Sequence, residues 1–312
     1  MSIIAAFAGT YCKEEPAIRE IIKRTGYKYL TDADIVSKAS CLSGLSEGKI
    51  LKAFYAKMPV FNQFTHEKEL SVAYLKLALA KTLSEDNIFI NGFTSLLIPS
   101  SITDLLRICI IADMKTRVSA AGESGMSERE ALKTLHKDDE DRTAWVKGIL
   151  EKDDPWDFSM YDMVLPTDKM THEEIGSLVA ETMGRDIFIR SSSSEKAIKD
   201  FILSSRIEAA LIKEGHYYVT AEPDDGNVTL TINKNVLILK WLEDALQSVA
   251  GKISGVKYVT TKVGKQFYQA DIVRKFDLEM PSKPFFTDDE RQFLPTLSEK
   301  AVFERNCFYS RT

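Results

Sequence analysis

The chain has 312 residues, 44% of them hydrophobic, and a formal net charge of −5, which is enough material for two compact domains and a remainder. The acidic balance argues against a general nucleic-acid binder, because such a protein needs a basic footprint. No run of about 18 apolar residues is present to span a membrane, and residues 1–8 lack the length and basic flank of a signal peptide. With four scattered cysteines, which fit reduced thiols, we expect a cytoplasmic protein.

Strand and helix patterns alternate over about the first 180 residues. The apolar run Ser2–Ala8 predicts a strand, and isoleucines at helical spacing up to Gly26 predict the helix after it. Capping boxes beginning at Ser127 and Thr171 mark two further helix starts. The remaining patterns predict a helix at about 66–83 and strands at 87–90, 105–112 and 161–166. This alternation predicts a three-layer α/β domain with a parallel sheet.

Several pieces of this domain, taken in order, resemble the cytidylate kinase-like family over roughly residues 1–184. They are residues 26–32, 106–113 with Arg117, 127–131, 139–142, and 156–165. The resemblance implies the P-loop nucleoside monophosphate kinase fold, in which a loop holds the phosphates of ATP and a mobile lid brings arginines onto the transferring phosphoryl group. It also implies Mg²⁺, with ATP or another nucleotide, as the cofactor.

The loop after the first strand departs from the family's pattern. A working P-loop reads G-x-x-x-x-G-K-[ST], so that backbone N–H groups can close around phosphate. Counted from Gly9, the second Gly, the Lys and the Ser/Thr fall on Glu14, Glu15 and Pro16. Two carboxylates repel phosphate, and Pro16 has no N–H to donate. We therefore expect phosphoryl transfer to be weakened, with Thr10 and Lys13 left as donors for a phosphate at the helix N-terminus.

Two further places are candidates for anion binding. Arg117 follows the strand at Asp113, and Arg142 lies on the helix after the lid with Asp139 one turn before it, so both guanidiniums could reach one phosphate bidentately. The alternative is surface ion pairing with the surrounding acids. At the start of the long helix, His66 and Lys68 could hold an anion; the alternative is a solvated helix start capped by Thr65. The full set of nucleotide- or phosphate-binding candidates is Gly9, Thr10, Lys13, Asp32, His66, Lys68, Arg117, Asp139 and Arg142.

A different pattern follows Gly184. It predicts a helix over 194–214, a hairpin turned at Asp225-Gly226, a helix over 236–250 and a closing strand over 255–263. This order resembles the BON domain, and Gly255-Val256 resembles that family's closing motif. The BON family is linked to phospholipid binding, but because we expect a cytoplasmic protein, we favour a small binding or docking module.

The last thirty or so residues resemble the opening of a response regulator receiver domain. Asp288 and Asp289 stand where a receiver holds Mg²⁺ with a pair of acids, and a helix with apolar positions follows them. No phosphoacceptor strand follows, so the pair is a vestigial metal site. The alternative is an ordinary acidic strand-turn-helix tail, since acidic residues also favour a helix N-terminus.

The predicted organisation is a cytidylate kinase-like α/β domain, a BON-like α+β domain and a truncated receiver-like segment. The boundaries are 1–186 for the first domain, 187–196 for a linker, 197–266 for the second domain, 267–282 for a linker and 283–312 for the last segment. The leading hypothesis is a cytoplasmic signalling protein, related to response regulators, with a degenerate nucleotide-binding domain and a protein partner bound through the BON-like domain or the C-terminal segment. An active kinase that phosphorylates CMP or dCMP, and an interaction protein that binds no nucleotide, are the alternatives.

Overall fold

The computed structural model describes residues 2–57 and 62–268, apart from the side chains of Gln63, Phe64 and Gln266. Residues 1–267 form one compact unit. The predicted linker over 267–282 lies almost wholly outside the described residues, and the receiver-like segment with Asp288 and Asp289 lies entirely outside them.

A parallel sheet is the centre of the fold, as predicted, and it has five strands. Its strands are β1 (Ile3–Ala8), β2 (Lys28–Thr31), β3 (Ile88–Asn91), β4 (Leu105–Ile111) and β5 (Met163–Pro166), in the order β2-β3-β1-β4-β5. Ile3 of the central strand pairs with Ile88 on one side and Leu105 on the other. Because both faces of such a sheet are covered, β1 and β4 are nearly continuous apolar runs.

Helices cover both faces of this sheet and make three layers, as predicted. They are α1 (Glu14–Thr25), α2 (Asp32–Ser43), α3 (Glu47–Leu51), α4 (Asn62–Thr65), α5 (Glu67–Thr82), α6 (Met114–Glu123), α7 (Glu128–Leu150) and α8 (His172–Met183). One core contains Leu79 and Trp145, and the other contains Ile21 and Ile175. Both predicted capping boxes are present, at the starts of α7 and α8.

The last part of the described chain, from residue 192 onward, forms a smaller, three-stranded sheet with its helices. It consists of α9 (Ser192–Lys213), β6 (Val219–Asp224), β7 (Asn227–Ile232), α10 (Leu239–Gly251) and β8 (Tyr258–Val263), which confirms the predicted order of elements. β6 and β7 are antiparallel, and β8 runs parallel to β7. Asp225 and Gly226 have φ values of +49° and +84°, the left-handed pair that a tight two-residue hairpin turn needs.

Helix α9 is shared between the two sheets. Ile198 and Phe201 are buried in a core of the five-stranded sheet, whereas Ile207 and Leu211 are buried beneath the three-stranded one. The segment predicted as a linker, 187–196, includes Ser191, whose side chain caps α9, and the first residues of that helix.

Short 3-10 helices complete the described chain: Lys52–Phe54, Phe93–Leu97, Phe158–Met160, Asp186–Phe188 and Lys265–Tyr268. Among the described residues, no helix has the length and apolar character to cross a bilayer.

Candidate functional site

The loop between β1 and α1, residues 9–13, lies at the carboxyl edge of the central strands, where ligands bind in open α/β sheets. Gly9 donates its N–H to the Ile110 carbonyl at 3.0 Å. A Cβ on Gly9 would lie 2.6 Å from the Cys12 sulfur, so a larger residue would clash. Tyr11 and Lys13 both have left-handed backbone, at φ +58° and +53°. The loop therefore has a compact conformation, with left-handed backbone at two positions and a close contact between Gly9 and Cys12.

Arg117 of α6 holds this loop from one side. Its Nε donates to the Thr10 carbonyl at 2.9 Å, and its two terminal nitrogens each lie 2.8 Å from a carboxylate oxygen of Asp139. Arg117 is only 5% exposed. The guanidinium is thus at the loop, as the lid hypothesis predicts, but Asp139 occupies the bidentate face that would bind a phosphate.

Arg142 of α7 holds the same loop from the other side. Its Nε donates to the Ala8 carbonyl at 2.9 Å and its Nη1 to the Asp138 carbonyl at 3.0 Å. The guanidinium also lies 5.5 Å from the centre of the Phe93 ring. Burial lowers the pKa of Arg142, and the charges of the neighbouring acids oppose this, so the group stays cationic.

Acidic side chains surround these two arginines. The Asp138 carboxylate accepts a 2.9 Å hydrogen bond from the Thr10 hydroxyl. Glu14, the first residue of α1, is half-buried; burial raises its pKa, and the Arg142 charge partly offsets that effect. Lys13 forms an exposed ion pair with Glu123 at 3.0 Å. The place where a phosphate would lie already contains most of the countercharge that the arginines need.

Cys12 is buried within the loop. Burial raises the pKa of its thiol to about 11, so the sulfur is protonated and unreactive at neutral pH. The Cys12 carbonyl accepts a hydrogen bond from the Thr167 hydroxyl. This residue fills space beneath Gly9 rather than acting as a nucleophile.

Asp32 fixes the turn that follows β3. Its carboxylate accepts bonds from the Phe93 N–H at 2.7 Å, the Thr94 N–H at 2.8 Å and the Thr94 hydroxyl at 2.7 Å. A Cβ on Gly92, whose φ is +124°, would lie 2.2 Å from the same carboxylate. Burial raises the pKa of Asp32, and these bonds oppose the rise. The contacts are those of a structural residue.

The segment between α9 and β6 covers the start of α5. The ring of His66 stacks on Tyr217, with ring centres 4.0 Å apart and an interplanar angle of 20°. The Lys68 N–H donates to the Asn62 side chain at 2.9 Å, and burial lowers the pKa of the Lys68 ammonium. The prediction that Thr65 caps this helix is wrong, because Thr65 ends α4 and His66, with φ +49°, precedes the first residue of α5.

Of the nine predicted binding residues, the structure brings together those on the first loop and those on α6 and α7. These six are Gly9, Thr10, Lys13, Arg117, Asp139 and Arg142. Asp138 was not among the candidates, although its place one helical turn before Arg142 could have indicated it. Trp156 was also missed: its ring lies 5.9 Å from that of Phe7, under the loop.

The implied magnesium site is not supported by this chain's own residues. A P-loop supplies a Ser or Thr ligand at the position that Pro16 occupies here. The Thr10 hydroxyl is bonded to Asp138, and Asp113 caps α6 by accepting from the Thr116 N–H. Across residues 2–57 and 62–268, no group of three or more histidine, cysteine or acidic side chains is arranged to hold a metal ion.

Comparison with known proteins agrees with the family resemblance. The chain is similar to an uncharacterized protein from Eubacterium ventriosum ATCC 27560, at 14% identity and a TM-score of 0.45 over 59% of this chain and 100% of that one. It is also similar to shikimate kinase from Acinetobacter baumannii in complex with shikimate, at 10% identity and a TM-score of 0.33 over 59% and 93%. No curated protein matches the chain. The family model described as cytidylate kinase-like matches residues 3–169, more than half of the sequence, and the chain belongs to the cytidylate kinase-like family.

Proposed function

We propose that residues 1–186 bind a nucleotide at the first loop as a regulatory ligand, with phosphoryl transfer weakened or lost. One observation carries the proposal: Arg117 and Arg142 converge on the loop at the carboxyl edge of β1 and β4. Two buried or half-buried guanidiniums at this edge favour a phosphate-bearing ligand, since arginine binds phosphate through its planar fork. Membership of the cytidylate kinase-like family favours a nucleotide as the source of that phosphate.

Binding at this loop would be an exchange of partners. A phosphate that takes the fork of Arg117 must displace the Asp139 carboxylate, which now lies 2.8 Å from both terminal nitrogens. The displaced acid, together with Glu14, then repels the ligand, so we expect modest affinity. Modest affinity suits a site that senses the concentration of a nucleotide better than a site that must hold its substrate through a catalytic cycle.

Weak transfer follows from the chemistry. Phosphoryl transfer depends on positioning and on neutralising charge that spreads over the phosphoryl oxygens. Glu14 and Glu15 add negative charge where the P-loop has Gly and Lys, and Pro16 removes the hydroxyl that would reach Mg²⁺. We expect little or no transfer from ATP to CMP.

The regulatory half of the proposal rests on the second domain, residues 197–266. Its order of helix, strand, strand, helix and strand supports a BON-like docking module that binds a protein partner. We propose that the chain is a cytoplasmic signalling protein in which nucleotide binding in the first domain controls this docking. The receiver-like resemblance of residues 283–312 is part of the same proposal.

Calorimetry tests the binding step. Purified protein is titrated with ATP, CMP, dCMP and AMP, each with Mg²⁺, and we expect saturable binding of at least one of them. Arg117→Ala and Arg142→Ala should each weaken it by about 1.5–3 kcal/mol, the range for hydrogen bonds to charged groups. Arg129→Ala, an exposed arginine on the same helix as Arg142, is the control. No binding of any nucleotide, or unchanged affinity in both loop variants, would overturn the proposal and favour a pure interaction protein.

An active cytidylate kinase is the second candidate. One observation favours it: within the described residues, the Nη2 of Arg142 makes no hydrogen bond and could reach a phosphoryl group. A coupled assay of ADP release with ATP and CMP or dCMP separates the two. Turnover near the usual kinase scale of about 1–100 s⁻¹ would establish the kinase and reject the regulatory site.

A further inference from the structure

A second cavity lies away from the first loop, beside the early part of β4. It has a volume of about 490 Å³, and none of the residues that line it belongs to residues 8–16. Ala5 of β1 and Arg107 of β4, which pair in register, both line it. This volume falls in the range of about 300–1,000 Å³ that small-molecule sites occupy.

The walls of the cavity combine apolar and polar side chains. They come from the turn after β3, the end of α7 and the segment before β5, and their apolar members are Leu96, Leu97, Ile98, Ile149, Leu150 and Met160. Three cations also line it: Lys76, Arg107 and Lys152. Asp162 is the acid on its surface. A cavity lined by both apolar and cationic side chains suits an organic anion with an apolar body.

The two lysines have partners of their own. Lys152 donates to the Asp157 carboxylate at 2.9 Å and to the Ser159 hydroxyl at 3.0 Å. Lys76 donates to Glu208 of α9 at 3.3 Å. Their charges are therefore balanced by nearby groups, and neither is the principal anion-binding residue.

Arg107 differs from them. In the described part of the chain its guanidinium donates one hydrogen bond, to the neutral Pro99 carbonyl at 2.9 Å. The Asp162 carboxylate accepts at 2.7 Å from the backbone N–H of Arg107, not from its side chain. Burial lowers the pKa of Arg107, with Asp162 opposing that shift, yet a guanidinium stays charged at neutral pH. The guanidinium is half-buried, and most of its donors have no protein partner in the described part of the chain, so they are available to an anion that enters the cavity.

We propose that this cavity binds a small organic acid with a single carboxylate head and an apolar body. The head forms a bidentate pair with Arg107, since planar guanidinium and carboxylate groups match in geometry. The body lies against the wall of Leu96, Ile149 and Met160. A doubly charged phosphate head fits less well, because one arginine neutralises a single charge and Asp162 repels a second.

Sodium octanoate is a suitable probe of the intact protein. We expect calorimetry to show one octanoate bound per chain and hydrogen exchange to slow at residues 95–100 and 159–162. Octylammonium, which has the same body and the opposite charge, should not bind. Octyl phosphate, which offers the doubly charged head, should bind at least tenfold more weakly than octanoate. Binding of octylammonium, or equal binding of octyl phosphate, would overturn the assignment of the head group.

The variant Arg107→Met keeps the aliphatic body and removes the charge. It should weaken octanoate at least about tenfold, as loss of a charged hydrogen-bond pair does, whereas Arg129→Met on the surface should leave affinity unchanged. Should Arg107→Met not fold, the exchange pattern of the wild-type protein decides. Absence of saturable octanoate binding, protection elsewhere than at the cavity, or equal affinity in the two folded variants would each overturn the proposal.

Discussion

The sequence predicts an anion site both at the first loop and at the start of α5. In the structure the protein's own side chains cover each of these places, through a different type of contact. At the loop the covering group is the Asp139 carboxylate, which accepts hydrogen bonds from both terminal nitrogens of Arg117. At the start of α5 it is an aromatic ring, because Tyr217 stacks on His66. An incoming phosphate can compete with Asp139 for the arginine, whereas it forms no bond that would replace the stack of the two rings. Of these two places, the loop is therefore the one that we propose as a ligand site.

The Arg117–Asp139 pair and the His66–Tyr217 stack also join different parts of the fold. The Arg117–Asp139 pair links α6 to α7 within the five-stranded sheet's own helices. The His66–Tyr217 stack links the five-stranded sheet's helices to the segment between α9 and β6. The first contact therefore lies within the layers of the five-stranded sheet, whereas the second joins the two parts of the fold.

The largest effect is expected from Arg117→Ala. The change leaves the Asp139 carboxylate, whose side chain is 23% exposed, and the Thr10 carbonyl without their partner. Breaking a buried, hydrogen-bonded pair should lower the free energy of unfolding by about 3 kcal/mol, the lower end for such pairs because Asp139 is partly solvated. Urea unfolding measures it.

Arg19→Ala is the matched control for that experiment. Arg19 pairs with Glu15 at 2.9 Å, but both side chains are at least 75% exposed, so this loss should stay below about 1 kcal/mol. Equal losses in the two variants would show that the Arg117 pair is no stronger than a surface pair. That result would contradict the contrast between the ion pair at the loop and the aromatic stack at α5.

A smaller effect is expected from Tyr217→Ala. Losing the stack on His66 removes an aromatic pair worth about 1 kcal/mol beyond its buried area. The local consequence should be faster hydrogen exchange in the first turn of α5, which Tyr217 covers. Tyr258→Ala, in β8 of the smaller sheet and 65% exposed, is the control. Unchanged exchange at residues 67–70 would mean that the stack does not hold this helix start.

Much of the fold follows from local patterns. The capping boxes at Ser127 and Thr171, the Asp225-Gly226 turn and the apolar runs of β1 and β4 each act within a few residues, so the sequence predicts them directly. The Arg117–Asp139 pair and the His66–Tyr217 stack cannot be predicted from such local patterns. Asp139 reaches Arg117 because α6 packs on α7, and Tyr217 reaches His66 because α9 joins the two sheets.

The candidate residues divide along the same line. The family resemblance singled out Arg117 and Arg142, which lie at the loop in the structure, but it did not predict their bonds to the carbonyls of Thr10 and Ala8. For Asp32 the resemblance suggested a ligand contact, and the structure has three hydrogen bonds from residues 93 and 94 instead. Residue type indicated the chemistry available, whereas tertiary packing decided which partner each group received.

The smallest effect is expected from Glu14→Gln, which tests whether charge alone closes the loop. Glu14 faces Arg142 and Arg117, with Glu15 beside it, and burial raises its pKa. A carboxyl whose folded pKa is raised is favourable when protonated, so its contribution to stability is lost as pH rises through that folded value. At neutral pH the ionised side chain should therefore weaken both folding and anion binding, and Gln should relieve both.

Sulfate is the probe of choice for this last test, because it stays a dianion across the range in which Glu14 titrates. We expect Glu14→Gln to bind sulfate about fivefold more tightly than wild type at neutral pH, the equivalent of about 1 kcal/mol for one nearby charge in a solvated site. The advantage should shrink as pH falls and the wild-type carboxyl takes up its proton. Glu15→Gln, an exposed neighbour, controls for net charge. Equal gains in the two variants, or a gain that does not change with pH, would show that long-range charge rather than Glu14 itself keeps anions from the loop.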